Sequence, residues 1–287
     1  MADFRVAAGR RQAAMAIAPF HTWADGDGKP WLEFYRRNGR YLLRFPELAD
    51  FEVSAAADDL VCFPMPGASE ATVEHLYLNQ VRPLVLSQRG KLVFHASCVE
   101  VDDGAIAFVA ETGRGKSTLA ASFATCGFRL LTDDGLQVES GPGGFEVVPS
   151  HPSVRLWEDS RDALVPPAVA TAPALQYTSK ARFLAGDELA FCAQSRPLRR
   201  AYFLGNGSAG QIVFERLHPV DALQEWVRHS FLLDVEERSR LALQFERVAE
   251  LAKQSLHYRL DYPRQFEQLA ALRQAIVRHA SHDPTAG

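Results

Sequence analysis

The sequence predicts an α/β fold preceded by a small β-rich module, and three observations lead to this prediction. An apolar run enters a glycine-rich loop and continues into a short helical pattern over residues 105–127. A second apolar run, "FRLLTDD", follows at once and ends in two aspartates. Residues 1–90 instead contain aromatic-rich runs separated by turn signals. The order strand, loop, helix and strand is typical of a βαβ unit, with parallel pairing and a right-handed crossover.

Composition and charge argue against several classes of function. The chain has 287 residues, 47% of them hydrophobic and 23% charged, as in ordinary globular proteins. A formal net charge of -4 provides no overall attraction to nucleic acid. We find no apolar run near the ~20 residues of a membrane span, and we expect no signal peptide. The four cysteines form no CxxC pair, which argues against a zinc ribbon or disulfide framework and favours the cytoplasm.

Residues 1–90 predict a small mixed β module with a connecting helix. "PWLEFYRRNGRYLLRF" predicts two strands around Asn38-Gly39, a strong hairpin signal. "FEVSAAADDLVCFP" predicts two further strands. Apolar residues from Val73 to Leu86 then recur at helical spacing, and Gly90 closes the helix. The pattern changes at Lys91, so we expect domains over residues 1–90 and 91–287.

The second part of the chain predicts further strands, loops and helices. "KLVFHASCVEVDDGAIAFVA" predicts two strands joined by an Asp-Asp-Gly turn, and "LQVESGPGGFEVVPS" a hairpin. The proline-rich stretch 152–197 predicts loops. We expect strands in "PLRRAYFLGNG", "GQIVFERL" and "YRLDYP" and a last helix in "QFEQLAALRQAI". Another helix is expected to open at Asp234 with Glu237, and to present one apolar face formed by Leu241, Phe245, Val248 and Leu251.

The segment "AETGRGKS", residues 110–117, fits the pattern [AG]-x-x-x-x-G-K-[ST] of a phosphate-binding loop. In such a loop, successive backbone N–H groups and the following helix N-terminus hold phosphate oxygens. Chance could produce the pattern, but the apolar strand before it and the helix after it favour nucleotide binding. We therefore expect ATP and Mg²⁺ to be bound by Ala110, Glu111, Thr112, Gly113, Arg114, Gly115, Lys116, Ser117 and Thr118, with Lys116 on the β/γ-phosphates and Ser117 on the metal.

Asp133 and Asp134 end the next predicted strand. In a parallel α/β sheet, that edge lies beside the phosphate loop. Adjacent strand residues point to opposite faces, so one carboxylate is expected to hold Mg²⁺ and the other to face an attacking hydroxyl. We predict Ser117 and Asp134 as metal ligands and leave open which aspartate is the base. The alternative is a solvated strand end, because Asp-Gly is also a turn signal.

His95 lies in "LVFHAS", among apolar residues, where a histidine is more often part of a core. Combined with the phosphate loop and the aspartates, however, this segment resembles the catalytic domain of the HPr kinase/phosphorylase family. The similarity is greatest to short relatives in gene clusters for ribosomal peptides, including tailoring kinases of lasso peptides. The resemblance implies a fold like phosphoenolpyruvate carboxykinase and an ATP-dependent serine or threonine kinase. It also implies catalytic roles for His95, Lys116, Asp133 and Asp134.

The chain departs from the bifunctional members of that family. They carry a Leu-Glu-x-Arg-Gly segment, where this sequence reads "HPSVRLWEDS" with Glu158 and Asp159, which puts a reverse phosphorylase activity in doubt. Lys180 and Arg182 are candidates for contacting phosphate or peptide, or simply belong to a solvated loop. The expected partner is a peptide or small protein carrying a serine or threonine, and a homo-oligomer is left open. The rival interpretations are a regulatory HPr(Ser) kinase, a non-catalytic ATP-binding sensor or scaffold, and a kinase that phosphorylates a small molecule.

Overall fold

The computed structural model describes residues 4–281, which contain strands and helices in two compact units. Of the described residues, the first unit comprises 4–90, 174–178 and 232–237, and the second unit comprises 91–173, 179–231 and 238–281. The predicted α/β class is therefore confirmed as a mixed α/β structure with several sheets. Every helix within residues 4–281 is too short or too polar to span a membrane.

The first unit contains a six-stranded sheet in the order β1-β6-β5-β4-β3-β2. Its strands are β1 Arg5–Val6, β2 His21–Ala24, β3 Pro30–Arg37, β4 Arg40–Phe45, β5 Ala49–Ser54 and β6 Leu60–Pro64. The predicted hairpin is confirmed, because β3 and β4 pair antiparallel on either side of Asn38 and Gly39. Both turn residues have positive φ, 51° and 71°, as a type I′ turn requires.

The predicted connecting helix consists of three consecutive helical pieces. They are α1 Glu70–Leu76, a π-helical turn Tyr77–Val81 and α2 Arg82–Gln88. The Ser69 hydroxyl caps α1 by accepting a hydrogen bond from the Thr72 N–H, and Gly90 has a φ of 77° just after the end of α2. The helical register changes just before Pro83, which has no N–H to continue the helical ladder.

Asp234 does not open a helix, contrary to the prediction. The helix begins at Arg238, while the Asp234 carboxylate is buried and accepts hydrogen bonds from Arg36 and from the Tyr41 hydroxyl. These hydrogen bonds, together with one from the backbone N–H of Glu236, compensate the burial of the Asp234 charge. The acidic residue pattern alone could not reveal a partner almost 200 positions away.

The second unit contains a sheet in the order β10-β8-β9-β15-β12-β11-β7, with β17 beside β15, β16 beside β17, and a separate β13–β14 pair. Its strands are β7 Leu92–Phe94, β8 Ala96–Val101, β9 Gly104–Val109, β10 Arg129–Thr132, β11 Leu136–Gly141, β12 Gly144–Val148, β13 Ser153–Leu156, β14 Ala181–Leu184, β15 Arg196–Leu204, β16 Val213–Arg216 and β17 His257–Asp261. Its helices are α3 Lys116–Ala124, α4 Glu158–Leu164, α5 Pro219–Arg228, α6 Arg238–Ala252 and α7 Leu269–Ser281.

The predicted direct parallel pairing of β9 with β10 is wrong. β8 and β9 form the predicted hairpin, whose turn residues Asp102 and Asp103 have φ values of 49° and 58°. β8 therefore occupies the edge of β9, and β10 pairs antiparallel with β8. β9 and β10 still run in the same direction, one strand apart, and the direct parallel neighbour of β9 is β15.

The central strands separate two hydrophobic cores in the second unit. Ile106 and Phe108 face a core that includes residues of α3 and α7. Ala107 and Val109 face the opposite core, which includes Trp226 and residues of α6. This alternation follows from the two-residue period of a strand and leaves β9 buried on both faces. The C-terminal end of β9, where the phosphate loop begins, is consequently held rigidly.

Two other predictions need correction. The stretch 152–197 contains β13, β14 and α4 in addition to loops. The β13–β14 pair joins Ser153 to Leu184, a long-range contact that local composition does not reveal. On α6, Val248 and Leu251 are buried as predicted, but Phe245 is 52% exposed.

His257 makes the fold sensitive to acid. Its Nδ1 donates to the carbonyl oxygen of Gln254, while Nε2 is buried without a hydrogen-bond partner among the described residues. Burial lowers the pKa of His257 to about 4. The folded state thus disfavours the imidazolium, so stability is full above the unfolded pKa of about 6.5 and is lost as pH falls towards 4.

We expect this histidine to remove about 2 kcal/mol of stability between pH 7 and pH 5. Denaturant unfolding of His257→Gln should show a correspondingly smaller loss over the same interval. His218→Gln, at an exposed position, is the matched control. An identical pH dependence in wild type and His257→Gln would contradict the assignment.

Candidate active site

The phosphate loop, residues 110–117, connects β9 to α3 in the second unit. Gly113 and Gly115 have φ values of 81° and 85°, in the left-handed region that favours glycine. Ala110 is buried, and Glu111, Thr112, Gly113 and Arg114 are exposed. The Thr118 hydroxyl pairs with that of Ser160, at 3.0 Å. The predicted strand–loop–helix context is therefore present, with Lys116 as the first residue of α3.

The Lys116 side chain is buried and folds back over its own loop. Its Nζ donates to the carbonyl oxygens of Ala110 at 2.7 Å and Glu111 at 3.0 Å. Burial lowers the pKa of Lys116 to about 8, although the nearby charges of Asp134 and Asp133 oppose this shift. The ammonium is held by neutral acceptors at the position where a phosphate-binding lysine is required.

Asp133 is nearly fully buried and joins two strands to the phosphate loop. Its Oδ1 accepts from the Ser97 hydroxyl at 2.5 Å and from the Ser117 hydroxyl at 2.9 Å, and its Oδ2 accepts from the backbone N–H of Arg155 at 3.1 Å. Burial and the neighbouring charge of Asp134 raise the pKa of Asp133. Asp133, rather than Asp134, is thus the aspartate in contact with Ser117.

Asp134 forms a buried ion pair with the Arg155 guanidinium, whose Nε lies 3.0 Å from Oδ2. Burial alone would raise the pKa of Asp134, but the Arg155 charge outweighs it and holds that pKa well below the ordinary range. Asp134 has a φ of 71°, so the backbone turns sharply after β10. The two carboxylates of the acidic pair, Asp133 and Asp134, consequently bind different groups.

His95 lies beside the acidic pair. Its Nδ1 is 3.3 Å from the carbonyl oxygen of Asp134, to which it donates, and its backbone N–H donates to the carbonyl oxygen of His229. Burial and the charge of Lys116 lower the pKa of His95 to about 4. At neutral pH the ring is therefore neutral, with Nε2 as the hydrogen-bond acceptor.

Sequence reasoning missed Arg155 and passed over Ser97. Arg155 is the charged residue in the apolar strand "SVRL", and a charge in such a strand signals a buried partner. Glu158 and Asp159, which stand where the family motif is missing, bind elsewhere: Glu158 is exposed and pairs with Arg161, and Asp159 accepts from the Ser160 N–H. Ser97 stands two residues after His95 in the quoted "HAS" segment.

The two basic candidates of the proline-rich stretch lie in different surroundings. Lys180 is partly buried above the ring of Trp157, 4.9 Å from its centroid. Burial, followed by the charge of Arg155, lowers the pKa of Lys180, and the acidic pair opposes this shift. Arg182 is buried on β14, opposite Arg155 on β13. The charge of Lys180 therefore interacts with the charges of the acidic pair.

The donor set fits a magnesium ion that arrives with a nucleotide. Within residues 4–281 no three His, Cys, Asp or Glu residues form a group able to hold a metal. Mg²⁺ commonly binds through one or two carboxylates together with substrate phosphates and water. The Ser117 hydroxyl and the Asp133 carboxylate, already in contact, are oxygen ligands of the required kind.

Comparisons with solved structures find 66 matching chains. No protein-family model matches the chain, and no curated protein matches it. Among solved structures, the HPr(Ser) kinase/phosphatase from Coxiella burnetii aligns over 65% of this chain and 94% of its own length, at 11% identity and a TM-score of 0.32.

Proposed function

We propose that the protein is an ATP- and Mg²⁺-dependent kinase that transfers the γ-phosphoryl group to a serine hydroxyl of a peptide or small protein. The observation that carries the proposal is the contact of the phosphate-loop Ser117 with buried Asp133, beside a second carboxylate held by Arg155. Phosphoryl transfer requires a phosphate cradle, a metal site and a group that orients the nucleophile. Residues of all three kinds occur together in the second unit.

The phosphate loop would bind ATP through its backbone N–H groups, the N-terminus of α3 and Lys116. The sequence predicted Asp134 as the metal ligand beside Ser117, but the hydrogen bond between Ser117 and Asp133 favours Asp133. When bound, Mg²⁺ supplies charge neutralisation at the transferred phosphate. Ser97 and the Arg155 N–H would hold the Asp133 carboxylate in one orientation.

Asp134 would accept the proton of the serine hydroxyl. The hydroxyl oxygen would bond to the γ-phosphorus, the bond between that phosphorus and the β,γ-bridging oxygen would break, and ADP would leave. Arg155 keeps Asp134 ionised. The Asp134 carboxylate is then a weak base, but at neutral pH it is in the form that accepts a hydrogen bond and orients the hydroxyl. Neutral His95 fixes the Asp134 backbone and offers Nε2 as a second acceptor. Positioning and electrostatic stabilisation would contribute most of the rate.

The substrate class rests on the resemblance of His95, the phosphate loop and the acidic pair to the short peptide-tailoring kinases. On this proposal, residues 91–287 form the kinase domain and residues 1–90 an accessory module. The test is mass spectrometry after incubation with ATP and Mg²⁺ of a precursor peptide encoded beside the gene and, separately, of HPr.

A gain of one phosphate on a peptide serine is expected with wild type and with Lys253→Ala, an exposed lysine control, but not with Lys116→Ala. Phosphate on HPr alone would support the regulatory kinase instead. ATP binding without transfer to either acceptor would favour a sensor or scaffold.

A further inference from the structure

Three loops of the second unit meet at one edge of its sheet. Strands β9, β15 and β17 run parallel as consecutive neighbours, so their C-terminal ends lie at the same edge. The phosphate loop follows β9, residues 205–209 follow β15, and residues 262–264 follow β17. The acidic pair follows β10, which lies on the opposite side of β9. The phosphate loop is therefore flanked by carboxylates on one side and by the β15 and β17 loops on the other.

The β17 loop places an arginine against the phosphate loop. A Cβ built on Gly115 would lie 3.3 Å from Nη1 of Arg264 and 3.7 Å from the Tyr262 hydroxyl oxygen. Gly115 is the N-cap residue of α3, the point at which the helix N-terminus is directed at a bound phosphate. The guanidinium thus lies beside the proposed nucleotide site.

Arg264 is held in this position by defined contacts. Its Nη1 donates to the hydroxyl of buried Tyr262, and its Nη2 donates to the carbonyl oxygen of Gly205 at 2.8 Å. The side chain crosses Gly207, where a Cβ would come within 2.6 Å of the Arg264 Cγ. Asp261 fixes the underlying loop by accepting from the N–H groups of Gly207 and Ala209. The loop leaves room for this arginine because position 207 has no side chain.

The charge of Arg264 is not neutralised by a bonded carboxylate. Within the described residues, its guanidinium hydrogen bonds go to two uncharged oxygens, and the residue is exposed. Asp261, three residues before Arg264, accepts through its carboxylate oxygens from backbone N–H groups and from the Ser208 hydroxyl. A guanidinium fixed by neutral acceptors beside a phosphate cradle retains donors and charge for an anion.

We propose that Arg264 binds the nucleotide phosphates nearest the nucleoside. This inference rests on the proposed function. The γ-phosphate must lie towards the acidic pair, because transfer takes place there. The rest of the nucleotide then extends towards the β15 and β17 loops, where Arg264 lies. Arg264 contributes affinity for ADP and ATP alike and takes no part in the transfer step.

The test is isothermal titration of the full chain with Mg²⁺ and either ADP or the β,γ-imido analogue of ATP. Arg264→Gln is expected to weaken both nucleotides by about tenfold or more, and by the same factor. Arg264→Lys, which keeps the charge, should lose less. Arg216→Gln is the matched control. Arg216 is an exposed arginine on β16, and it lies opposite Tyr258, near the start of β17 and away from the β17 loop. Its affinities should equal those of wild type.

The outcomes separate this proposal from the proposed function. If wild type binds both nucleotides, Lys116→Ala does not, and Arg264→Gln binds like wild type, the phosphate loop stands and the Arg264 assignment is wrong. A loss of affinity confined to the ATP analogue would place Arg264 at the γ-phosphate. That result would also overturn the assignment of Arg264 to the phosphates nearest the nucleoside. If wild type binds neither nucleotide, both proposals fail. Thermal unfolding of Arg264→Gln should match wild type, because the side chain is exposed.

Discussion

Replacing Asp134 by asparagine is expected to lower kcat for phosphoryl transfer by about 10³-fold. Asparagine keeps the shape of the side chain and can still accept a hydrogen bond from Arg155, but it cannot take a proton from the attacking hydroxyl. Affinity for ADP should change little, since Asp134 contacts Arg155 and not the Ser117 hydroxyl. The measurement is single-turnover transfer to the peptide acceptor, together with the ADP dissociation constant.

Two further variants make this result interpretable. Asp133→Asn should lower transfer to a similar extent. It should also weaken the dependence of the rate on Mg²⁺ concentration, because Asp133 accepts a hydrogen bond from Ser117, the proposed second metal ligand. Asp187→Asn, at an exposed loop position, should behave as wild type. Full transfer by both Asp134→Asn and Asp133→Asn would refute the acidic pair as the catalytic centre.

Replacing Arg155 by methionine is expected to destabilise the second unit by about 3–5 kcal/mol. The change leaves Asp134 buried beside Asp133 without its bonded guanidinium, and Lys116 and Lys180 then act on the two carboxylates only through their charge. The pKa of Asp134 should rise, because the charge that lowers it has been removed. Transfer should fall as well, since a protonated Asp134 cannot accept the hydroxyl proton.

A double-mutant cycle identifies the ion pair as the cause. Adding Asp134→Asn to Arg155→Met should recover part of the lost stability, because it removes the uncompensated charge. Arg161→Met breaks an exposed pair with Glu158 and Asp162 and should leave denaturant stability almost unchanged. Strictly additive effects of Asp134→Asn and Arg155→Met would show that the pair is not energetically coupled.

Local chemistry explains what could be predicted from the sequence. The Asn38-Gly39 hairpin and the strand–loop–helix around Lys116 depend on turn residues and on apolar spacing within about 20 positions. The α/β class followed from the same patterns. These features needed no knowledge of distant parts of the chain.

The errors arise where distant residues decide the structure. β8 lies between β9 and β10, because it forms a hairpin with β9. The Asp234 carboxylate accepts a hydrogen bond from Arg36 and does not cap a helix. In the site, Arg155 could not be predicted from local sequence, because its partner Asp134 lies 21 positions earlier, on the other side of a hairpin. The nine candidate nucleotide-binding residues, 110–118, are contiguous and could be named together. Ser97 on β8 and Arg155 on β13, which contact the acidic pair, could not.

The turn at Asp102 and Asp103 has a consequence for the chemistry at the opposite end of the hairpin. Two consecutive residues with positive φ fix the register of β8 against β9, with Val101 opposite Gly104 and Ser97 opposite Phe108. A slip of one residue would reverse every side chain of β8 and turn the Ser97 hydroxyl away from Asp133. The hydrogen bond between Ser97 and Asp133 thus depends on a two-residue turn five positions from Ser97, so an insertion in that turn would misalign Asp133 without altering any residue that contacts it.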